Sequence, residues 1–401
     1  MRQLFACLAL LIATHGAVRA DDAPKRLKVF ILAGQSNMVG HAQYPTIPAL
    51  LTAEEPGVKQ LAKLIFKDGA IAPGDTRDMI EIRVKRDALD ADLRAKKITG
   101  DDKIAAAQVE LKELQAKVDA RAKKIKDAFV VSKRVYITSI ADGHKRSGPL
   151  TMGFGASPDK IGPELGFGLA LEQKLDGPIL LIKTSWGGKS LHYDFRPPSA
   201  GPYELSKAQA DSKDAQKIKD NAGLNYRMMN ETVHDVLKDL KKHHPDYDAG
   251  AGYEIAGFVW FQGFNDQFDP AFHGNYKTNM IAFVKDERNE YKVPHMPFVI
   301  GVLGTGATKE EVDKNPVSLG QRAAAAAPEF KDTVASLESY PFYALDALAM
   351  WKDGTWSKKP VEFSQIGSDR PYHYMGSGKF FVRLGDALAT EMVDLRKKQK
   401  R

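Results

Sequence analysis

Short apolar segments alternate with amphipathic segments along most of the chain, and this alternation restricts the possible folds more than any other feature. Apolar runs rich in branched and aromatic residues predict buried strands at 29–33, 134–140, 178–183, 255–261, 298–303 and 333–337. The spacing of apolar residues predicts helices near 163–175, 223–242, 271–290, 316–327 and 377–397. Strands that alternate with helices are typical of parallel crossovers. We therefore expect a three-layer α/β/α fold with helices on both faces of one mostly parallel sheet.

A region of different composition, at about 78–130, interrupts this alternation. Glycine and proline nearly vanish there, and Ile104, Leu111, Val118 and Ile125 recur at intervals of seven residues. We interpret the region as an antiparallel helical hairpin inserted into the main domain, with its turn at 99–102. The same spacing is also typical of a coiled-coil arm that binds a partner.

The first 20 residues have the pattern of a secretory signal peptide. Arg2 precedes the apolar run 4–13, and Ala17-Val-Arg-Ala20 offers small residues for cleavage. We therefore expect a secreted or periplasmic mature protein, residues 21–401. The single cysteine, Cys7, lies in the signal segment, so we expect neither a disulfide nor a cysteine metal site in the mature chain.

The charge of the chain argues against a nucleic-acid partner. The formal net charge is +7, and it falls to +5 when Arg2 and Arg19 leave with the signal segment. This mild excess is not arranged as a basic stripe with interleaved aromatic residues, so we expect no nucleic-acid binding. Beyond the signal segment no apolar run reaches membrane-spanning length, so we expect no membrane partner. The oligomeric state stays open.

Glycine and polar residues follow three of the predicted strands at their carboxyl ends. These segments are 34–37 (Gly-Gln-Ser-Asn), 184–188 (Thr-Ser-Trp-Gly-Gly) and 262–266 (Gln-Gly-Phe-Asn-Asp). The carboxyl ends of parallel strands meet at one edge of a sheet, where α/β proteins bind ligands. A serine hydroxyl, a glycine N–H and an asparagine amide that converge there have the chemistry of a nucleophile with an oxyanion hole. Ser36 taken alone is equally typical of a helix cap.

A serine nucleophile needs a base, and His373 is the best candidate among the histidines. It lies in the segment 367–376, just before the last predicted helix, and Asp369 precedes it by four residues. This carboxylate reaches the imidazole if the turn at Pro371 folds back. The alternative is that His373 caps or packs against the final helix. His41, five residues after Ser36, is interpreted as a hydrogen-bonding loop residue, with the alternative that it reaches the site.

Together these motifs resemble the SGNH hydrolase superfamily, in which Ser, Gly, Asn and His occur in this order. The sequences at 34–38 (Gly-Gln-Ser-Asn-Met), 186–188 (Trp-Gly-Gly) and 260–263 (Trp-Phe-Gln-Gly) look like its sialate O-acetylesterase and acetylxylan esterase branch, carbohydrate esterase family 6. The resemblance covers about residues 27–75 and 134–395. It implies the flavodoxin-like SGNH-hydrolase fold and a serine esterase that removes O-acetyl groups from carbohydrate through an acyl-enzyme, without metal or cofactor. An α/β-hydrolase is disfavoured, because 34–38 lacks the second glycine of G-x-S-x-G.

The resemblance also implies roles for individual residues. Ser36 is the nucleophile and His373 is the base. The oxyanion hole consists of the Ser36 N–H, the Gly188 N–H (or that of Gly187) and the Asn265 amide.

The sequence departs from the superfamily where the triad acid is expected, three residues before the histidine. That position is Arg370, and Asp369 lies one residue further back. The acid is therefore Asp369, another carboxylate such as Asp266 or Glu164, or absent. A main-chain carbonyl can also fix the tautomer of the imidazole, so a Ser–His dyad stays possible.

For the substrate we expect contacts from Gln35, His192, Arg196 and Gln262. The loop 190–196 follows the glycine pair, and its polar residues suit a hydroxyl-rich or acidic sugar better than a lipid chain. Ordinary loop polarity is the alternative. Rival functions are another ester or thioester hydrolase on the same fold, an inactive carbohydrate-binding protein, and a scaffolding protein built around the hairpin.

Overall fold

The computed structural model describes residues 25–399. The predicted signal peptide, residues 1–20, lies outside this range. The described strands are β1 (Leu27–Gly34), β2 (Ala42–Gln43), β3 (Val135–Ala141), β4 (His144–Pro149), β5 (Lys160–Ile161), β6 (Ile179–Ser185), β7 (Tyr253–Phe261), β8 (Phe298–Val302) and β9 (Val334–Glu338). Seven of them form one sheet in the order β4-β3-β6-β1-β7-β8-β9, and β2 pairs with β5 beside it.

The helices surround this sheet. They are α1 (Ser36–Val39), α2 (Ala49–Thr52), α3 (Val58–Ile65), α4 (Pro73–Arg94), α5 (Asp101–Asp127), α6 (Glu164–Lys174), α7 (Lys207–Ala210), α8 (Ala215–Asn221), α9 (Leu224–Lys238), α10 (Leu240–His243), α11 (Pro270–Gly274), α12 (Tyr276–Glu290), α13 (Lys309–Lys314), α14 (Pro316–Ala325), α15 (Leu345–Lys352), α16 (Thr355–Lys358), α17 (Pro360–Ile366) and α18 (Gly378–Lys398). Within residues 25–399, no helix combines the length and apolar character needed to cross a membrane.

The sheet is parallel except at one edge. β1 pairs in parallel with β6 and β7, and β3, β8 and β9 continue the parallel order outward. The predicted α/β/α fold is therefore confirmed. The sequence analysis missed β4, which pairs antiparallel with β3 across a turn at Asp142-Gly143. β4 lies at the sheet edge, and its polar residues do not have the apolar pattern of a buried strand.

The central strand β1 explains why the sheet is buried on both faces. Phe30 and Leu32 contribute to the core beneath α6 and α18. Val29, Ile31 and Ala33 contribute to a second core beneath α9, α12 and α14. Because successive side chains of a strand point to opposite faces, one apolar run supplies both cores.

The region of different composition, at about 78–130, contains most of two long helices, α4 and α5, joined by a turn. Arg86 of α4 donates to Oε1 of Gln115 at 2.6 Å, and Lys124 of α5 forms an ion pair with Asp75 at 2.7 Å. Val118 and Ile125 are buried, whereas Ile104 and Leu111, nearer the turn, are only partly buried. The apolar residues spaced seven apart are therefore most buried at the end of the helix pair that lies away from the turn. There Phe66 and Phe129, which flank the pair, pack against each other.

A fully buried ion pair joins the sheet to the helix layer below the carboxyl ends of the strands. Lys183 in β6 donates to Oε2 of Glu164 at 2.7 Å, to the Val39 carbonyl at 2.8 Å and to the Phe154 carbonyl at 2.9 Å. Glu164 Oε1 accepts from the Gly162 N–H at 2.9 Å. Burial lowers the pKa of Lys183, and the attraction of Glu164 opposes that shift. The pair is therefore costly to desolvate but fully hydrogen-bonded.

We expect Glu164→Gln to lower the free energy of unfolding by about 3–5 kcal/mol, because it keeps the shape but leaves the Lys183 ammonium buried without its counter-charge. Urea denaturation of wild type and variant measures the difference. The matched control is Asp90→Asn, which removes an exposed ion pair with Arg94 at 2.8 Å. The control is expected to cost less than about 1 kcal/mol. Equal losses in the two variants would contradict the importance assigned to the buried pair.

Candidate active site

Ser36 lies in a sharp turn at the carboxyl end of β1. Gly34 permits this turn, because a Cβ atom there would lie 2.1 Å from the Phe261 carbonyl oxygen at the end of β7. The Met38 N–H then donates to the Gln35 carbonyl at 2.8 Å, so the chain enters α1 immediately after the strand. Ser36 is 9% exposed, so its hydroxyl is placed at the sheet edge with limited access to solvent.

The Gln35 side chain holds the end of β7 beside Ser36. Its Oε1 accepts from the backbone N–H groups of Gly263 at 3.1 Å and Asn265 at 3.3 Å. Its Nε2 donates to Asn265 Oδ1 at 3.0 Å, and Asn265 Nδ2 donates in turn to the Gly188 carbonyl at 3.0 Å. The Asn265 amide is thus fixed in orientation, and its second N–H is left for a ligand.

The glycine pair after β6 lies on the other side of Ser36. A Cβ atom on Gly187 would be 3.9 Å from the Ser36 Cβ atom, so this backbone passes directly beside the serine. The Gly187 N–H donates to Asp142 Oδ1 at 2.7 Å. Of the two glycines named from the sequence, Gly188 is therefore the better oxyanion donor. Gly188 has a φ of 68°, in the left-handed region that favours glycine.

The loop between α17 and α18 brings His373 to the same edge. Asn37 Nδ2 donates to the Tyr372 carbonyl at 3.1 Å, so the residue after Ser36 binds the residue before His373. Tyr374 and Met375 adopt positive φ values of 50° and 60°, which fold the loop back on itself. The Asp369 N–H then donates to the Met375 carbonyl at 3.0 Å. Positive φ at non-glycine residues costs about 1–3 kcal/mol each and is typical of functional loops.

This folded loop places Asp369 against His373. Asp369 Oδ1 lies 3.3 Å from His373 Nδ1, although the alignment is poorer than that of a regular hydrogen bond. Burial raises the pKa of Asp369, but the contacts with His373 and with the Arg370 backbone N–H outweigh it and hold the pKa below its usual value. Asp369 therefore stays ionised beside the imidazole. The spacing of four residues is thus compatible with a carboxylate–histidine pair.

The other two carboxylates considered from the sequence are engaged elsewhere. Glu164 is buried in the ion pair with Lys183. Asp266 accepts from the N–H groups of Leu191 and His192, both at 3.0 Å, and fixes that loop. Burial raises the pKa of Asp266 to about 6. Of the three carboxylates, Asp369 is the one that contacts His373.

His41 is a second histidine at this carboxylate, and the sequence analysis underestimated it. Its ring stacks on that of His373 with centroids 4.0 Å apart and planes 4° from parallel. Its Nδ1 lies 3.6 Å from Asp369 Oδ2 and 3.5 Å from Lys160 Nζ. Burial, then the positive charges of His373 and Lys160, lower the pKa of His41 to about 4. His41 is therefore a neutral ring packed against His373 at neutral pH.

Ligand atoms of His41, Asp369 and His373 lie within 4.8 Å of one another, which is close enough for a metal centre. A nitrogen lone pair lies in the plane of its ring, however, so two parallel stacked rings do not direct their lone pairs at one ion. The Lys160 ammonium, 4.0 Å from Asp369 Oδ2, already supplies positive charge there. The arrangement fits two histidines that share a carboxylate better than a metal centre.

The four residues proposed from the sequence as substrate contacts prove to be engaged within the protein. Gln35 and Gln262 are 1% and 2% exposed, and Gln262 Nε2 donates to Gln35 Oε1 at 3.2 Å. The Arg196 guanidinium donates to carbonyls of its own loop, among them Gly201 and His192. His192 Nδ1 lies 3.0 Å from Asn279 Nδ2, and its ring stacks on Phe272. These contacts orient the four side chains within the site, and their role as substrate contacts stays a prediction.

One family model matches the chain. Residues 144–336 match the family described as carbohydrate esterase, sialic acid-specific acetylesterase. This match confirms the resemblance predicted from the sequence, and it supports carbohydrate esterase activity. The matched range is just under half of the chain. It contains Gly188 and Asn265 but not Ser36, Asp369 or His373, so the case for those three residues depends on the contacts described above.

The chain is also similar to solved structures. A protein of Arabidopsis thaliana has 14% identity, with 92% of this chain and 98% of that chain covered and a TM-score of 0.45. A carbohydrate acetylesterase from Xanthomonas citri has 12% identity, with 91% and 55% covered and a TM-score of 0.42. NanS has 11% identity, with 79% and 78% covered and a TM-score of 0.38. The comparison with curated protein sequences gives no match.

The lowered pKa of His41 predicts a pH-dependent contribution to stability. Between the ordinary pKa of 6.5 and the folded value of about 4, the unfolded chain binds more protons at this residue than the folded chain. Stability therefore rises with pH across this window. We expect His41→Phe, which keeps a ring against His373, to remove the part of the pH dependence of stability that His41 contributes. Unfolding free energies of both proteins, measured by urea denaturation across the window, test this; parallel pH curves would contradict it.

Proposed function

We propose that this chain, whose residues 144–336 match the sialic acid-specific acetylesterase family, is a serine esterase that removes O-acetyl groups from carbohydrate through an acyl-enzyme. One observation carries the proposal: the two residues that flank Ser36 contact the segments of the other proposed catalytic residues, since Gln35 binds Asn265 and Asn37 binds the residue before His373. The contacts that support it are those of Gln35 with Asn265, of Asn265 with Gly188, and of Asn37 with Tyr372.

The first step is attack of Ser36 Oγ on the acetyl carbonyl carbon, with transfer of the serine proton to His373 Nε2. Asp369 faces the other ring nitrogen, Nδ1, at 3.3 Å, which favours the tautomer whose Nε2 is free and stabilises the imidazolium. Negative charge develops on the carbonyl oxygen of the acetyl group. The N–H groups of Ser36 and Gly188 and the free N–H of Asn265 are the donors proposed to stabilise it.

The second step releases the acetyl group. Collapse of the tetrahedral intermediate breaks the ester bond, and His373 gives its proton to the departing sugar oxygen. Water, deprotonated by His373, then attacks the acetyl-serine, and acetate leaves with Ser36 restored. The proton that His373 takes from the water returns to Ser36 Oγ as acetate leaves, so the steps consume one water and leave the side chains unchanged.

We further propose that the mature protein acts outside the cytoplasm. The support is the signal-like pattern of residues 1–20, with Arg2, an apolar run and small residues, Ala17 and Ala20, for cleavage. Fractionation of cells that express the full chain, with the N-terminus of the product determined by sequencing, tests this. A product that retains Met1 and stays in the cytoplasm would contradict it.

We expect Ser36→Ala to abolish acetate release and labelling by a fluorophosphonate, because it removes the nucleophile and little volume. The measurements are acetate release from a set of acetylated glycans and from p-nitrophenyl acetate, and a labelling assay. Far-UV circular dichroism checks that the variant is folded. Turnover by the variant at the wild-type rate would refute the acyl-enzyme mechanism. If the wild-type protein binds sugar but hydrolyses none of the esters, the alternative of an inactive carbohydrate-binding protein is favoured.

We expect Asp369→Asn to reduce kcat by up to about 10⁴-fold, because the amide no longer favours the required tautomer or stabilises the imidazolium. His373→Ala should be at least as severe. Both variants are measured in one assay with p-nitrophenyl acetate. If the histidine variant is dead and Asp369→Asn retains more than about a tenth of wild-type kcat, a change of less than about 1.4 kcal/mol, Asp369 is not the triad acid.

A further inference from the structure

A groove of about 570 Å³ extends from the candidate active site toward the loop after β8. Two of the residues that line it are sequence neighbours of proposed catalytic residues: Phe264 precedes Asn265, and Tyr372 precedes His373. The Tyr372 ring also contacts the His373 ring, with centroids 4.5 Å apart. The groove therefore begins where the part of a substrate beyond the reacting ester would lie.

Aromatic rings line this end of the groove. The Phe264 centroid lies 5.1 Å from that of Phe268 and 5.7 Å from that of Tyr372. Phe268 is 69% exposed and Tyr372 is 43% exposed, although side chains of this size gain most from burial. Exposed apolar surface in a concave site next to polar groups is typical of ligand binding. The C–H face of a sugar ring is flat and apolar, so it fits such rings, while the ring hydroxyls point to the sides.

Uncharged polar side chains complete the groove. Gln267, Thr305 and Asn315 line it together with the aromatic residues, and they offer donors and acceptors that suit hydroxyl groups. Among its lining residues the single charged side chain is Glu311. Glu311 and the neighbouring Glu310 share one lysine, Lys314, at 3.4 Å and 2.8 Å, so the two carboxylates together keep a net negative charge. A sugar that carries its own carboxylate would be repelled there.

Four cations near the proposed catalytic residues already have partners. The Arg370 guanidinium lies over the Trp351 ring, 4.8 Å from its centroid. Lys160 lies between His41 and Asp369. Lys189 forms an ion pair with Asp194 at 3.0 Å, and Arg196 donates to loop carbonyls. A carboxylate on the substrate would have to displace one of these contacts. The charge distribution therefore favours an uncharged sugar.

We propose that the groove lined by Phe264, Phe268 and Tyr372 binds the sugar rings of a neutral O-acetylated carbohydrate, and that Glu311 disfavours acidic sugars. The inference rests on the proposed esterase function and deepens it by naming the substrate class. It assigns specificity to residues that do not take part in the chemical step.

The first experiment compares three esters: acetylated xylotetraose as a neutral sugar ester, O-acetylated N-acetylneuraminic acid as an acidic one, and p-nitrophenyl acetate as an ester without sugar. We expect Phe268→Ala to lower the ratio of kcat/KM for acetylated xylotetraose to kcat/KM for p-nitrophenyl acetate about tenfold. The matched control is Tyr253→Ala, another exposed aromatic residue, at the amino end of β7. It is expected to leave the ratio at the wild-type value. An equal ratio in both variants would overturn the proposal.

The second experiment tests the charge. Wild type should hydrolyse acetylated xylotetraose with a higher kcat/KM than O-acetylated N-acetylneuraminic acid, and Glu311→Gln should raise the relative rate on the acidic ester several-fold. Glu329→Gln is the matched control, since Glu329 is exposed, pairs with Lys285 at 3.0 Å and is not part of the groove. A wild-type preference for the acidic ester would overturn the assignment to neutral sugars.

Binding without turnover separates this inference from the proposed function. Xylotetraose without acetyl groups is titrated into Ser36→Ala and into Ser36→Ala with Phe268→Ala, and calorimetry measures binding. Weaker binding by the double variant supports the groove, even if wild type hydrolyses none of the three esters and the esterase proposal fails. Equal binding by both proteins overturns the groove assignment while leaving the esterase proposal intact.

Discussion

The buried contact between Lys183 and Glu164 fixes the relative positions of the elements that carry the candidate site. An ammonium group has three hydrogens, and all three have acceptors here: Glu164 Oε2 and the carbonyls of Val39 and Phe154. Val39 ends the helix that Ser36 begins. One lysine on the central sheet therefore fixes the helix that follows the serine turn. An apolar pair of the same volume would avoid the cost of desolvation, but it would leave both carbonyls without this donor.

The side-chain amide of Gln35 likewise fixes the segment that follows β7, at the carboxyl ends of the strands. It must accept from the backbone N–H groups of Gly263 and Asn265 and also donate to Asn265 Oδ1. A carboxylate accepts but cannot donate, so a glutamate at position 35 would lose the hydrogen bond that orients the Asn265 amide. This explains, in physical terms, why glutamine precedes the serine. Its nearly complete burial means that it orients the neighbouring amide and does not reach a substrate.

The sequence was sufficient to predict features that depend on apolar periodicity and on polar residues at strand ends. The sheet, most of its strands and the three loops around Ser36 belong to this group. The Asp369–His373 contact was harder to predict, because it depends on a left-handed backbone conformation at Tyr374 and Met375. The residue types at these positions do not indicate that conformation.

Other features left no recognisable pattern in the sequence. β4 is polar, so it lacks the periodicity of a strand with a buried face. The stacking of His41 on His373 joins segments far apart in the chain, and Lys183 and Glu164 lie 19 residues apart on a strand and the preceding helix, so no local pattern reveals either contact. Arg196 and His192 were predicted as substrate contacts because their loop follows the glycine pair and its polar residues suit a hydroxyl-rich or acidic sugar. Their contacts with loop carbonyls and with Asn279 could not be predicted from the loop sequence.

The hydrogen bond from Asn37 to the Tyr372 carbonyl joins residues 335 positions apart. The entropic cost of closing a loop grows only slowly with its length, so a contact between such distant residues is affordable once the sheet between them is in place. During synthesis the strand before Ser36 emerges early, whereas the segment 367–376 emerges only near the end. A growing chain therefore contains Ser36 long before it contains the proposed base, and in the proposed mechanism the site is complete only after this last segment docks beside the serine turn.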